Sequence, residues 1–129
     1  IVNGEELTNL VVPEGVTRIG SSAFAGCSGL TEVDLSNCTS LKSIGSSAFF
    51  NCSGLTSITL PSSLTSIGER AFYNCSGLTT IRIEATTPPT LGSSAIPSNE
   101  ITIEVPSASV KAYKSALGWS SHASKIVGY

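Results

Sequence analysis

Stacked short coils, each giving one strand to a parallel row, are the architecture expected of this chain, and three features lead to it. A block of about 23 residues recurs along most of the sequence. Within each block, apolar residues alternate at period two over a short stretch and then recur at period three over a longer one. Glycines return at the junctions between the two stretches.

The repeat is plainest in the middle of the chain. Ile44-Gly45-Ser46-Ser47-Ala48-Phe49-Phe50-Asn51-Cys52-Ser53-Gly54-Leu55-Thr56-Ser57-Ile58-Thr59-Leu60 is followed by a copy from Ile67 to Ile83 and preceded by one from Ile19 to Leu35. Ile44 and Ile67 are 23 residues apart, whereas Ile19 and Ile44 are 25 apart, because Ser36–Leu41 replaces the shorter Pro61-Ser62-Ser63-Leu64. Partial copies flank these three. Leu7, Leu10 and Val12 match Leu30, Val33 and Leu35, and Leu91–Ile96 repeats the Ile-Gly-x-x-Ala-Phe block with Ile for Phe. Ile101–Pro106 then repeats the strand and its proline after a shortened link without cysteine, as a degenerate terminal repeat should.

Val33-x-Leu35, Ile58-x-Leu60 and Ile81-x-Ile83 alternate as half-buried strands do. Phe24, Cys27 and Leu30, with Phe49, Cys52, Leu55 and Phe72, Cys75, Leu78, are spaced by three, which fits a helical or 3₁₀ turn with one buried face. One such unit cannot bury its apolar side alone and must stack on the next. The expected fold is therefore a leucine-rich-repeat solenoid. It has about five parallel strands, each followed by a short helical or 3₁₀ segment, with strands near residues 9–12, 32–35, 57–60, 80–83 and 101–105. Gly20, Gly45, Gly68 and Gly92 should lie at left-handed or tightly bent turns into the period-three segment, and Gly29, Gly54 and Gly77 likewise just before the strands.

Both ends depart from the pattern. Asn3-Gly4 is a favoured type I′ hairpin pair with only Ile1 and Val2 before it, so the first strand reads as cut short and more protein is expected upstream. From Pro106 on, Ser107 can act as an N-cap, Val110, Tyr113 and Leu117 share a helical face, and Gly118 can close the helix. Residues 107–117 are expected to cap the open core with Trp119 packed nearby; a membrane or partner helix is the sharper alternative. The chain then divides into a solenoid, 1–106, and a cap of the same domain, 107–129.

Composition narrows the function. At 129 residues there is room for one domain, and a 40% hydrophobic content suffices for a core. Charged residues make up 12%, about half the usual share. Net charge is −2, with Lys and Arg scattered, which removes the electrostatic footprint of a nucleic-acid or membrane-surface binder. No apolar run approaches the roughly 20 residues of a membrane span.

Cys27, Cys52 and Cys75 hold equivalent places and should form a column of small buried groups. A disulfide between neighbours is geometrically allowed, but any pairing leaves one of the three over, so reduced thiols are expected. A straight ladder without histidine does not converge tetrahedrally on zinc. Asn37-Cys38-Thr39, Asn51-Cys52-Ser53 and Asn74-Cys75-Ser76 are formal glycosylation sequons, generated by the repeat itself. His122 is the only histidine and Asp34 the only aspartate; neither lies in a nucleophile motif, and Ser without a base is only a hydroxyl. No catalytic residue, metal or cofactor is expected, and His122 should lie at the surface.

The outward positions of the strands remain. They make two columns, Asn9, Glu32, Ser57, Thr80 and Thr102 beside Val11, Asp34, Thr59, Arg82 and Glu104. A parallel row with small polar side chains is a docking surface for a protein or a glycan, against the plainer expectation that it is merely solvated. Asp34 and Arg82, supporting no core, should be replaceable there without loss of stability.

The combination Ile-Gly-x-x-Ala-Phe-x-x-Cys-x-x-Leu-x-x-Ile-x-Leu-Pro, nearly whole from Ile44 to Pro61 and repeated across roughly residues 7–106, resembles the bacterial BspA-like (Treponema pallidum type) leucine-rich-repeat surface proteins. The resemblance implies a non-enzymatic adhesion module, secreted or surface-attached. Its partner would be an extracellular component of a host or neighbouring cell. A stalk that spaces another domain from the cell is the alternative use of such a solenoid.

Overall fold

The computed structural model describes residues 8–129, so Leu7, the Asn3-Gly4 pair and the strand expected to precede that pair lie outside the described residues. Ten strands run along the described chain: β1 (Asn9–Val11), β2 (Arg18–Ile19), β3 (Glu32–Asp34), β4 (Ser43–Ile44), β5 (Ser57–Leu60), β6 (Ser66–Ile67), β7 (Thr80–Ile83), β8 (Thr90–Leu91), β9 (Thr102–Val105) and β10 (Ile126–Gly128). All pairings between them are parallel, as coils wound in one direction require. The odd-numbered strands are the five expected from the repeat, and β10 adds a sixth to their row by pairing with β9. A second row, β2-β4-β6-β8, runs along another side of the solenoid, two residues per coil.

The main row is not continuous. β1 pairs with β3, and β5, β7, β9 and β10 form a separate ladder, with no hydrogen-bonded register joining β3 to β5. The second row crosses the same level unbroken, with Ser43 opposite Ser66 and Ile44 opposite Ile67. The interruption coincides with the longer Ser36–Leu41 link, which turns Cys38 and Leu41 into the core at 0% exposure.

The period-three segments fold as linked β-turns rather than as helices. Ala48 N–H donates to Gly45 O at 3.2 Å, Phe50 to Ser47 at 3.1 Å and Cys52 to Phe49 at 3.2 Å, which is the three-residue closure the spacing calls for. The amides between them point to the next coil: Ser47 donates to Glu69 O, Phe49 to Ala71 O and Asn51 to Tyr73 O, at 2.8–2.9 Å. Both sets of bonds require a left-handed residue every fourth position, found at Ser47 (φ 58°) and Asn51 (φ 63°), and again at Arg70 and Asn74. No helix accommodates that conformation. It also accounts for the asparagine of two of the three sequons, at Asn51 and Asn74, since Asn tolerates positive φ better than most residues.

Glycine works here by close approach. Gly45 and Gly68 do not have positive φ, contrary to the left-handed alternative; a Cβ on Gly68 would stand 2.5 Å from Ser46 N, and one on Gly45 2.6 Å from Ser21 N. Successive coils touch backbone to backbone at these points.

Inside, Phe24, Phe49 and Phe72 stack with centroids 5.6 and 5.5 Å apart. Phe49 and Phe72 are fully buried, as are Leu55, Leu78, Ile81 and Ile83. The cap is shorter and more broken than expected: a 3₁₀ turn, Ser107–Ser109, leads into α1 (Val110–Ser115), and a second 3₁₀ stretch, Ser120–Lys125, precedes β10. Ser107 makes no side-chain cap bond, and the helix ends at Ala116, which is extended. Leu117 therefore falls off the helical face and is 94% exposed, while Gly118 follows with φ +85°. Trp119 and Tyr113 are fully buried and meet edge to face at 5.2 Å. Their polar ends hold the Ala85–Thr90 loop, Trp119 Nε1 donating to Pro89 O at 2.7 Å and Tyr113 Oη to Ala85 O at 2.6 Å.

Candidate binding surface

The strand row presents the two columns of outward side chains. Asn9 lies opposite Glu32, and Ser57, Thr80 and Thr102 align across β5, β7 and β9. Val11 lies opposite Asp34, and Thr59, Arg82 and Glu104 align beside them. Each column is thus cut between its second and third member, at the β3–β5 interruption.

A groove of about 470 Å³ opens at that interruption. Glu32, Asp34 and Ser36 line one side, Ser57 and Thr59 the other, and Glu84 also contributes. Three carboxylates and no basic residue line it. Asp34 Oδ1 accepts from Ser36 Oγ at 2.6 Å and from Ser36 N–H at 2.9 Å, and these bonds, the hydroxyl's first, hold its carboxyl below the usual carboxylate range. Asp34 therefore stays ionised and fixed in direction. The period-two pattern locates these residues on one face; the groove itself arises from the longer link, whose only sequence signal is the step of 25 rather than 23.

Arg82 is differently engaged from what the sequence leads one to expect. Its guanidinium lies 3.4 Å from Glu104 Oε1 and 3.6 Å from the centre of the Tyr129 ring. Tyr129 in turn donates to Ile83 O at 3.3 Å and accepts from Ser107 N–H through its backbone carbonyl. Arg82 and Glu104 thus fasten the C-terminal strand to the row, so reversing Arg82 is expected to cost stability as well as any binding. The period-two pattern carries no signal of this contact, because Tyr129 is distant from Arg82 in sequence.

The cysteine column faces inward, but only Cys52 and Cys75 are buried; Cys27, in the first described coil, is partly exposed, short of the burial expected of it. Cys52 Sγ donates to Phe24 O at 3.2 Å and Cys75 Sγ to Phe49 O at 3.1 Å, each thiol reaching the preceding coil. Cys38 Sγ does the same to Val12 O at 3.3 Å. Burial pushes the Cys52 thiol up to about 11 and the Cys75 thiol to about 12. In folded protein near pH ~8, both should react with iodoacetamide at least ~100-fold more slowly than after denaturation, which should expose four free thiols. A stoichiometric Cys27–Cys52 or Cys52–Cys75 bridge in the mass spectrum would contradict this.

His122 is half-buried in the second 3₁₀ stretch, where burial and then Lys125 lower its pKa. No group of three or more His, Cys, Asp or Glu side chains able to hold a metal occurs among the described residues. No helix among them is long and apolar enough to cross a membrane.

Parallel strand rows wound from successive coils, a stacked phenylalanine column and a polar strand face together define a leucine-rich-repeat solenoid of the kind that serves as a protein-interaction module. The sequence matches the BspA type leucine rich repeat region, in six copies, over residues 2–120, and the chain belongs to that family. A search of the curated proteins gives no match.

Proposed function

We propose that this chain is a non-enzymatic adhesion module of a secreted or surface-attached bacterial protein, docking an extracellular protein partner on its strand row. The observation that carries the reading is the groove at the β3–β5 interruption. It gathers Glu32, Asp34, Ser57 and Thr59 into one concave, acidic place on the polar row. Such a groove favours partners that bring Lys or Arg side chains, and charge complementarity of this sort sets partner choice and association rate more than affinity. Membership in a bacterial repeat family typical of surface proteins supports the location.

The test is capture of purified matrix and mucus proteins on the immobilised chain, followed by charge reversal of Glu32 and Asp34. Glu32→Lys with Asp34→Lys should weaken binding by ~10-fold or more, chiefly in a salt-sensitive association rate, while Glu32→Lys alone, which leaves the Asp34–Ser36 bonds intact, should keep the melting temperature within about 2 °C. Unchanged affinity would move the docking site off the strand row. Absence of binding at micromolar concentration would replace adhesion by the stalk.

A further inference from the structure

The turn face carries a second constellation, made of residues other than the outward strand positions. Phe50 and Tyr73 stack with centroids 5.6 Å apart and planes 8° from parallel, outside the buried phenylalanine column. Tyr73 is 40% exposed and Phe50 partly so. In the preceding coil the equivalent residue is Ala25, fixed in register by Phe24 N–H to Ala48 O and Gly26 N–H to Phe50 O. Only a methyl group therefore stands against the free face of the Phe50 ring.

The neighbouring column ends at the same level. Asn51 and Asn74 hold matching left-handed positions, and Gly26 takes that place in the first coil, with φ +80° and nothing within 4 Å of where a Cβ would be. Ala25 and Gly26 thus form a low floor, walled by Phe50 and Asn51. Beside it lies a cavity of about 460 Å³ lined by Gly26, Ser28, Asn51, Ser53, Asn74 and Ser76, within the ~300–1,000 Å³ range of small-molecule sites.

We infer that this ledge is a saccharide subsite for a neutral pyranose, seated over Ala25 and Gly26 against the Phe50 ring. One face of a pyranose is a patch of C–H groups, which an aromatic face covers without competing hydrogen bonds. Its rim is hydroxyl, which suits amides that both donate and accept, with serine hydroxyls beside them. None of the six cavity-lining residues is charged, so neither a cationic nor an acidic ligand finds a counter-charge there. This site is independent of the strand-face reading and stands or falls without it.

The experiment is an NMR titration of the whole chain with lactose, cellobiose and N,N′-diacetylchitobiose. At least one should bind at about 1 mM or tighter, shifting the amides of Gly26, Asn51 and Ser53. Ala25→Phe should abolish binding while keeping the fold, because Phe50 and Tyr73 already occupy this position in the next coils. Asn51→Gly, which keeps the left-handed turn as Gly26 does, should raise Kd by ~10-fold. No binding by any of the three sugars would overturn the proposal. So would Ala25→Phe binding as wild type, or shifts confined to the strand row.

Discussion

Phe72→Ala is expected to lower the unfolding free energy by about 3–5 kcal/mol, and Phe49→Ala by a similar amount. Both rings are 0% exposed, and each stands in a column with a neighbouring ring about 5.5 Å away. Truncation removes the transfer free energy of the ring and leaves a cavity that cannot collapse. The coils on either side are held at fixed spacing by the Phe49 N–H to Ala71 O and Phe72 N–H to Ala95 O bonds. Phe24→Ala should cost clearly less, since Phe24 is only partly buried at the first described coil. Urea denaturation of the three variants checks this order; a loss below roughly 1 kcal/mol for Phe72 would show that the ring is not core.

Trp119→Ala should have an effect of the same size, about 3–5 kcal/mol. The indole is 0% exposed, closes edge to face on Tyr113, and donates to Pro89 O. Its removal exposes the end of the core and leaves the Pro89 carbonyl without its donor, two costs that act together. Trp119→Phe keeps most of the ring volume but not the N–H, and should recover much of the loss. Thermal unfolding of both variants separates packing from the hydrogen bond; equal destabilisation would assign the effect to the bond alone.

The main row was legible in the sequence because each strand carries two inward apolar residues at period two, as in Ile58 and Leu60 or Ile81 and Ile83. The second row was not, because each of its strands offers a single inward residue, such as Ile44 or Ile67, and one residue has no period. Period three in Phe, Cys and Leu correctly located the turn bonds but could not separate a 3₁₀ helix from linked turns. The distinguishing signal was present in the register of Gly26, Asn51 and Asn74, the residues most tolerant of positive φ. β10 escaped notice because Ile126-Val127-Gly128 is too short to show alternation and its place depends on β9 and Arg82. For the candidate surface, the repeat placed Glu32, Asp34, Ser57 and Thr59 on one side. It could not foresee a gap between them, because that depends on how two coils part in space.

That gap also bears on mechanics. Coils joined along β4–β6 and through the Phe49–Phe72 stack, yet unjoined between β3 and β5, form a wedge with its open edge on the strand side. In an array where each unit touches only its neighbours, bending compliance concentrates at the interface with fewest bonds. The solenoid should therefore flex like a book about its spine, opening and closing the groove while both halves stay folded. A ligand seated between Asp34 and Thr59 would then set the angle between the first coils and the rest, so that occupancy is read out as the curvature of the rod.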